Sequence, residues 1–191
     1  MHRAIVVFLL TVAGAAHAAP PPPRPATHSQ AAPNALDTLF GALARTRTPE
    51  DAKPIEDQII SHFLVSGSPS VDLLMSRAGA ALTGGDKQDA RRLLDAITDV
   101  APNYAEGWHQ LGRFQAEAGD DEDAIISLHR AVTLNPRQFE AFAELGAVLL
   151  QNGDKKDALR VLRKAVALDP HLENLDREIE KLSRDVEGEK I

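Results

Sequence analysis

The sequence predicts an all-α protein, an α-solenoid of antiparallel helix pairs closed at its C-terminal end by a capping helix. Three observations predict it. After Asn34 no stretch alternates apolar and polar residues as a half-buried strand would, while apolar residues recur at three- and four-residue spacing. Helix start and stop signals return at short intervals, a polar cap before each apolar stripe and Gly or Pro after it. The chain also matches itself at an offset of 34 residues, and a period of that length marks stacked supersecondary units.

Composition narrows the class of activity. Of 191 residues, 43% are hydrophobic and 26% charged, the balance of a globular protein. Only 4% are aromatic, so the core must be built from Leu, Ala, Val and Ile. The absence of Cys excludes disulfides, thiolate zinc sites and Cys nucleophiles together. With 28 Asp and Glu against 21 Lys and Arg, the formal net charge is −7. That balance argues against a nucleic-acid partner, because a phosphate backbone requires clustered cations.

Residues 1–18 read as a cleavable export signal. Arg3 and the amino terminus supply positive charge, Ala4 to Val12 is apolar except for Thr11, and Ala16-His17-Ala18 fits the small-x-small recognition pattern. Cleavage is expected between Ala18 and Ala19; a cut after Ala19 would place Pro20 directly behind it. The apolar run is too short for a hydrocarbon core of ~30 Å, which takes ~20 residues, so no stable membrane anchor is expected after cleavage. The periplasm is the expected location, with secretion as the alternative. Residues 19–33 hold Pro20, Pro21, Pro22, Pro23, Pro25 and Pro33. This density suits a polyproline II or disordered linker reaching ~3.1 Å per residue.

Residues 34–70 read as a degenerate helix pair. Asn34 is placed to cap a helix whose face carries Leu36, Leu39, Phe40 and Leu43. Thr48-Pro49-Glu50 starts a second helix in cap-then-proline order. Its stripe is Ile55, Ile59, Ile60, Phe63 and Leu64, and Pro54 either kinks it or marks its true start. Gly67-Ser68-Pro69 ends the pair.

The internal match then carries the reading. Trp108 pairs with Phe142, Leu111 with Leu145, Gly112 with Gly146, Ala124 with Ala158, Leu128 with Leu162, Ala131 with Ala165, and Pro136 with Pro170. Another 34 residues back stand Leu74, Ala78, Gly85, Asp86, Ala90, Leu94, Ile97 and Pro102. The units fall at 71–104, 105–138 and 139–172. Small residues at 112 and 146 on the first helices, and at 124 and 158 on the second, let two backbones approach so that ridges enter grooves. Trp108 and Phe142 anchor the layer, Leu128 and Leu162 complete it, and Ala131 and Ala165 admit the next unit. Gly-Asp at 119–120 and 153–154, as at 85–86, serves each turn: the Gly takes a left-handed conformation and the Asp caps the following helix. The prolines end the second helices.

This residue order at this period resembles the tetratricopeptide repeat family, in particular small exported members from Gram-negative bacteria. The resemblance implies a curved array whose first helices line a concave groove that receives an extended segment or helix of a partner protein. Carried over position by position, the groove comprises Asp72, Met75 and Gly79, then Glu106, His109, Gln110, Arg113 and Glu117, then Glu140, Ala143, Glu144 and Ala147. Some chaperone-binding members clamp a terminal carboxylate with Lys and Asn at such positions; Met75, Gly79, Gln110, Ala143 and Ala147 provide no such clamp. Two positions depart from the pattern. Arg77 stands where Leu111 and Leu145 recur, which suggests a rotated helix or loose packing, and Gln115 stands where a large apolar residue is usual.

Residues 173–191 complete the chain. Leu172, Leu175, Ile179, Leu182 and Val186 form a narrow stripe on a helix otherwise covered with charge, as a terminal cap requires. The same stripe offers the alternative of a self-assembling subunit, a weak homodimer through a short coiled-coil seam.

Other clusters have plain explanations. Asp120-Asp121-Glu122-Asp123 lacks the order of a calcium loop and falls in a helix's first turn, where acids are favoured. The seven His are scattered, with no zinc spacing; His62 and His129 are expected on helix flanks. Neither a nucleophile elbow nor a Gly-rich phosphate loop is present, so no catalytic residue, cofactor or metal is expected. Lys155, Lys156, Arg160, Arg163 and Lys164 make one helix basic, as a solvated face or as a patch for an acidic partner. The sequence therefore points to a non-enzymatic scaffold or adaptor of the cell envelope with a protein or peptide partner.

Overall fold

A computed structural model describes residues 34–172 and 174–188. The export signal and the Pro-rich linker lie outside the described residues. Every regular element among the described residues is an α-helix: α1 (Ala35–Leu43), α2 (Pro49–Phe63), α3 (Pro69–Thr83), α4 (Lys87–Val100), α5 (Ala105–Ala118), α6 (Asp121–Leu134), α7 (Phe139–Gln151), α8 (Lys155–Leu168) and α9 (Leu175–Glu187). None of them is long and apolar enough to cross a membrane.

The 34-residue echo maps onto three packed pairs, α3–α4, α5–α6 and α7–α8. Ala90, Ala124 and Ala158 are fully buried, as are Ile97, Ala131 and Ala165. A Cβ added at Gly112 would stand 2.6 Å from Leu128 Cγ, and one at Gly146 would collide with Leu162. Hydrogen at these two positions lets α5 and α7 approach α6 and α8 at this distance, whereas the first pair packs with the buried Ala78 at the same place. Gly119 and Gly153 take the left-handed conformation at φ 83° and 87°, reversing the chain into α6 and α8. The capping expectation holds only in part. Asp86 accepts the Asp89 N–H at 3.0 Å, whereas Asp120 and Asp154 make no side-chain cap. Asp120 lies 3.8 Å from Arg91 instead, and Asp154 accepts from Asn152.

The first repeat explains its own departures. Leu111 is buried among Ala90, Leu93, Leu94 and Ile97, residues of the unit before it. No unit precedes α3 in this way, so Arg77 at the equivalent position is exposed, and Leu73, aligned with the buried Gly107 and Ala141, is 61% exposed. Gln115 is buried with its Oε1 unpaired, and Phe114 beside it fills the apolar space. At the other end α9 seals the stack. Leu182 is buried, and Leu172, Leu175, Ile179 and Val186 pack on the same core, so the stripe faces its own solenoid. The basic helix is tied to this cap: Lys155 pairs with Asp185 at 2.9 Å and Arg163 with Glu187 at 2.6 Å.

The helix pair at the front does not stack as a fourth unit. Asn34 and Thr48 cap α1 and α2, and Pro54 sits inside α2 without ending it. Their apolar face, Leu43, Ala52, Ile59 and Phe63, packs around Phe139 and against Leu168 and Leu172. Phe40 meets Phe139 edge-on with ring centroids 6.3 Å apart, and the Arg137 guanidinium covers Phe40 at 4.1 Å. Arg137 also bonds Asp37, His171 Nε2 bonds Thr46 Oγ1 at 2.7 Å, and Tyr104 donates to the Leu64 carbonyl at 2.8 Å. Residues 104 and 137 belong to the two turns between successive repeats, and 171 to the turn between the third repeat and α9. The hairpin therefore runs along the edge where α5, α7 and α9 begin.

Candidate functional site

The first helices α3, α5 and α7 share one face, and α5 meets α7 directly, the sense of curvature that puts these helices inside. The expected groove residues do lie on them, but their environments divide with distance from the hairpin edge. In the first turns of α5 and α7, Glu106 is 3% exposed and Glu140 half-buried. One turn on, His109 is 1% exposed. Further along, Gln110, Arg113, Ala143 and Glu144 are half-buried, and Glu117, Ala147 and Gly79 are exposed. On α3, Met75 is half-buried, while Asp72 accepts both the Ser66 hydroxyl and its N–H. The inner face is closed at one end of its helices and open at the other.

The closed end holds a polar network. His109 Nδ1 lies 3.2 Å from Glu106 Oε2, and Nε2 lies 3.0 Å from Glu144 Oε2, so one imidazole bridges two repeats. Gln110 Nε2 donates to Glu106 Oε1 at 2.5 Å, and Arg113 donates to Gln110 Oε1 at 2.5 Å. Gln138 donates from the turn to Glu106 Oε2, leaving its own buried Oε1 without a partner. Burial alone would lower the His109 pKa; bonds to Glu106 and Glu144 overcome it and raise it to about 10. Both ring nitrogens therefore donate at neutral pH. Burial raises the Glu140 carboxyl above its ordinary value, with Glu106 and Glu144 adding to the shift and His109 opposing it. Burial likewise raises the Tyr104 phenol.

The His109 imidazole is committed to these contacts, with both ring nitrogens engaged by carboxylates. Among the described residues no group of three His, Asp or Glu is disposed to hold a metal. Asp121, Glu122 and Asp123 stand in the first turn of α6, and His62 and His129 are exposed. Gln138 and the hairpin were not legible as parts of the site. Gln138 sits in a turn with no motif, and hairpin docking is a tertiary contact over about a hundred residues.

Two tetratricopeptide repeat models match residues 75–136 and 139–172, together just over half the chain. The chain belongs to the tetratricopeptide repeat family. A curated TPR repeat-containing protein of Rhizobium etli is 36% identical over 75 residues, 39% of this chain and 37% of the relative, so the match spans little over a third of the relative's length. Among solved structures, the Sgt2 TPR domain of Aspergillus fumigatus aligns with TM-score 0.57 at 21% identity, over 63% of this chain and 81% of that one. MamA aligns with TM-score 0.58 at 20% identity, over 73% and 80%. The TPR2B domain of yeast Sti1, solved with an Hsp70 peptide, gives 0.55 at 18%, over 62% and 99%. At these identities the likeness is one of fold. On the inner face of this TPR protein Gly79, Glu117 and Ala147 are exposed, and Arg113 and Glu144 are half-buried.

Proposed function

We propose that the protein is a non-enzymatic adaptor of the cell envelope that binds an extended segment or helix of a partner protein on the inner face of its repeats. The observation that carries this reading is the open half of that face. Gly79, Ala143 and Ala147 leave room for a second backbone, while Arg113, Glu117 and Glu144 offer charge beside it. TPR domains solved with Hsp70 and Hsp90 peptides support the use of such a face for peptides. Gln110, Ala143 and Ala147 supply no cation, so the partner is held along its length rather than by a terminal carboxylate. The leader at 1–18 supports an envelope location, with the periplasm as the compartment.

A photo-crosslinking residue at Arg113 tests this reading, since His109 is buried and Arg113 half open. One dominant protein captured in the periplasmic fraction is the expected result. Capture of nothing, or equal capture of many proteins, overturns it.

A further inference from the structure

The basic helix α8 presents its charge to two sides. Lys155 and Arg163 are paired with Asp185 and Glu187 of α9. Arg160 and Lys164, both exposed, instead border a groove of about 450 Å³ between α6 and α8. Its floor is apolar: Phe142, Leu145 and Leu149 from α7, Val132 from α6 and Val161 from α8. These α7 residues stand on a different helical face from Ala143 and Ala147, so the groove lies on the outer side of the repeats. His129 and Thr133 form the α6 wall, and Lys164 lies over the Phe142 ring at 5.6 Å from its centroid. Asp157, paired with Arg160 at 3.2 Å, is the one acid among the described lining residues. The preceding repeat provides a comparison. One period earlier the place of Ile125 is taken by Arg91, which pairs with Asp95 at 3.0 Å and reaches Asp120 at the start of α6 at 3.8 Å, so charge spans that position. Asp95 and Asp99 stand where His129 and Thr133 do, and Gln115 where Leu149 does. The later groove thus lacks two acids and a bridging arginine, and its floor is more apolar.

We propose that this groove is a second docking site, on the outer side of the repeats, and that it takes an acidic amphipathic helix of a partner protein. Charge selects the sign. Arg160 and Lys164 rim an apolar floor in a chain whose net charge is −7, so glutamates beside a partner's apolar anchors are drawn to this rim and repelled by most of the remaining surface. Backbone chemistry selects the helix. The helices α6 and α8 satisfy their own N–H and C=O groups and offer no edge with which an extended strand could pair. A helix brings its backbone bonds with it and packs as a third rod in the furrow between two others. From Ile125 to Thr133 the wall runs about 12 Å at ~1.5 Å per residue, enough for anchors at i, i+4 and i+7. Used together with the inner face, the groove would let one molecule hold two partners; it does not depend on the inner face being a binding site.

Fluorescence anisotropy of the full chain with a labelled probe tests the site. The probe is a stapled helical peptide of about four turns with leucines at i, i+4 and i+7 between glutamates, compared with a twin carrying lysines in place of the glutamates. The acidic peptide is expected to bind about tenfold tighter than its twin, and to weaken about tenfold in the double variant Arg160→Glu, Lys164→Glu. Both side chains are exposed, so the fold tolerates the reversal, and circular dichroism verifies it. Thr133→Trp fills the groove from an exposed position and should weaken binding as much without changing charge. Amide shifts in NMR should fall on α6 and α8 and spare Arg113 and Glu117. No saturable binding of the acidic peptide, equal binding of the two peptides, binding that survives both variants, or shifts confined to the inner face overturns the proposal. So does binding of dodecanoate where the acidic peptide fails, which marks a site for small amphipathic anions. Self-association of the chain that Thr133→Trp abolishes also overturns it, by making a second copy the occupant. The peptide and the crosslinker at Arg113 report on opposite faces, so failure of either reading is seen separately.

Discussion

His109 Nε2 lies 3.0 Å from Glu144 Oε2, and through this contact the second repeat is bonded to the third across the inner face. With Nδ1 on Glu106, the ring is a protonated bridge between two acids, nearly all of it out of water. His109→Ala leaves the buried Glu106 without its cation, and breaking a buried pair in this way costs ~3 kcal/mol or more. Urea denaturation checks it. A loss under ~1 kcal/mol would show that Gln110 and Gln138 satisfy Glu106 on their own.

Stability should fall on the alkaline side of neutrality. The folded-state pKa of His109 is raised to about 10. Its contribution is therefore fully present below the ordinary histidine value and is lost as pH rises through the folded one. Glu140, also raised by burial, acts in the same direction at lower pH. The midpoint of thermal unfolding is expected to drop steadily between pH 7 and pH 10. In His109→Gln that slope should flatten; an unchanged slope would assign it to other groups.

Two glycines on first helices should respond with opposite signs. Gly112→Ala places a methyl group against Leu128 and is expected to cost ~1–3 kcal/mol as overpacking. Gly79→Ala meets nothing within 4 Å on the exposed side of α3. There the gain is ~0.5–1 kcal/mol, because alanine loses less backbone freedom in a helix. Equal effects at both sites would contradict the packing described for α5 on α6.

Arg77 and Leu111 occupy the same place in successive repeats and should behave differently. Leu111 is 4% exposed against the preceding unit, so Leu111→Ala is expected to cost ~2–5 kcal/mol. Arg77→Leu should change stability by no more than ~0.5 kcal/mol, since nothing packs there. A large gain from Arg77→Leu would reveal an apolar neighbour on that face.

The repeats were legible in the sequence because their demands are local and recur: a glycine where helices touch, a left-handed glycine at each turn, an alanine at each close crossing. Gly112, Gly119 and Ala124 each record such a demand. Arg77 broke the pattern because the pattern presumes a neighbour that α3 lacks. Asp120 and Asp154 stand where a cap belongs but pair with Arg91 and Asn152, since a residue suited to capping can pair elsewhere. The candidate site was legible in its residues but not in its accessibility. Glu106 and His109 occupy groove positions, yet their carboxylate and imidazole bond each other rather than a ligand. The docking of α1–α2 left no periodic signature, because Phe40 and Phe139 are far apart in the chain and apolar stripes do not name their partners.

The hairpin's course along three turns also limits how many repeats this array can carry. The 15 residues of α2 measure about 22 Å at ~1.5 Å each, and the hairpin is tied to Tyr104 just beyond the end of α2, at Leu64, and to His171 just before its start, at Thr46. Inserting one more helix pair would push those anchors apart by roughly 10 Å, one helix-to-helix spacing. A rigid rod of fixed length thus acts as a ruler, and duplication of a unit, the ordinary way such arrays grow, would here leave the rod too short to reach.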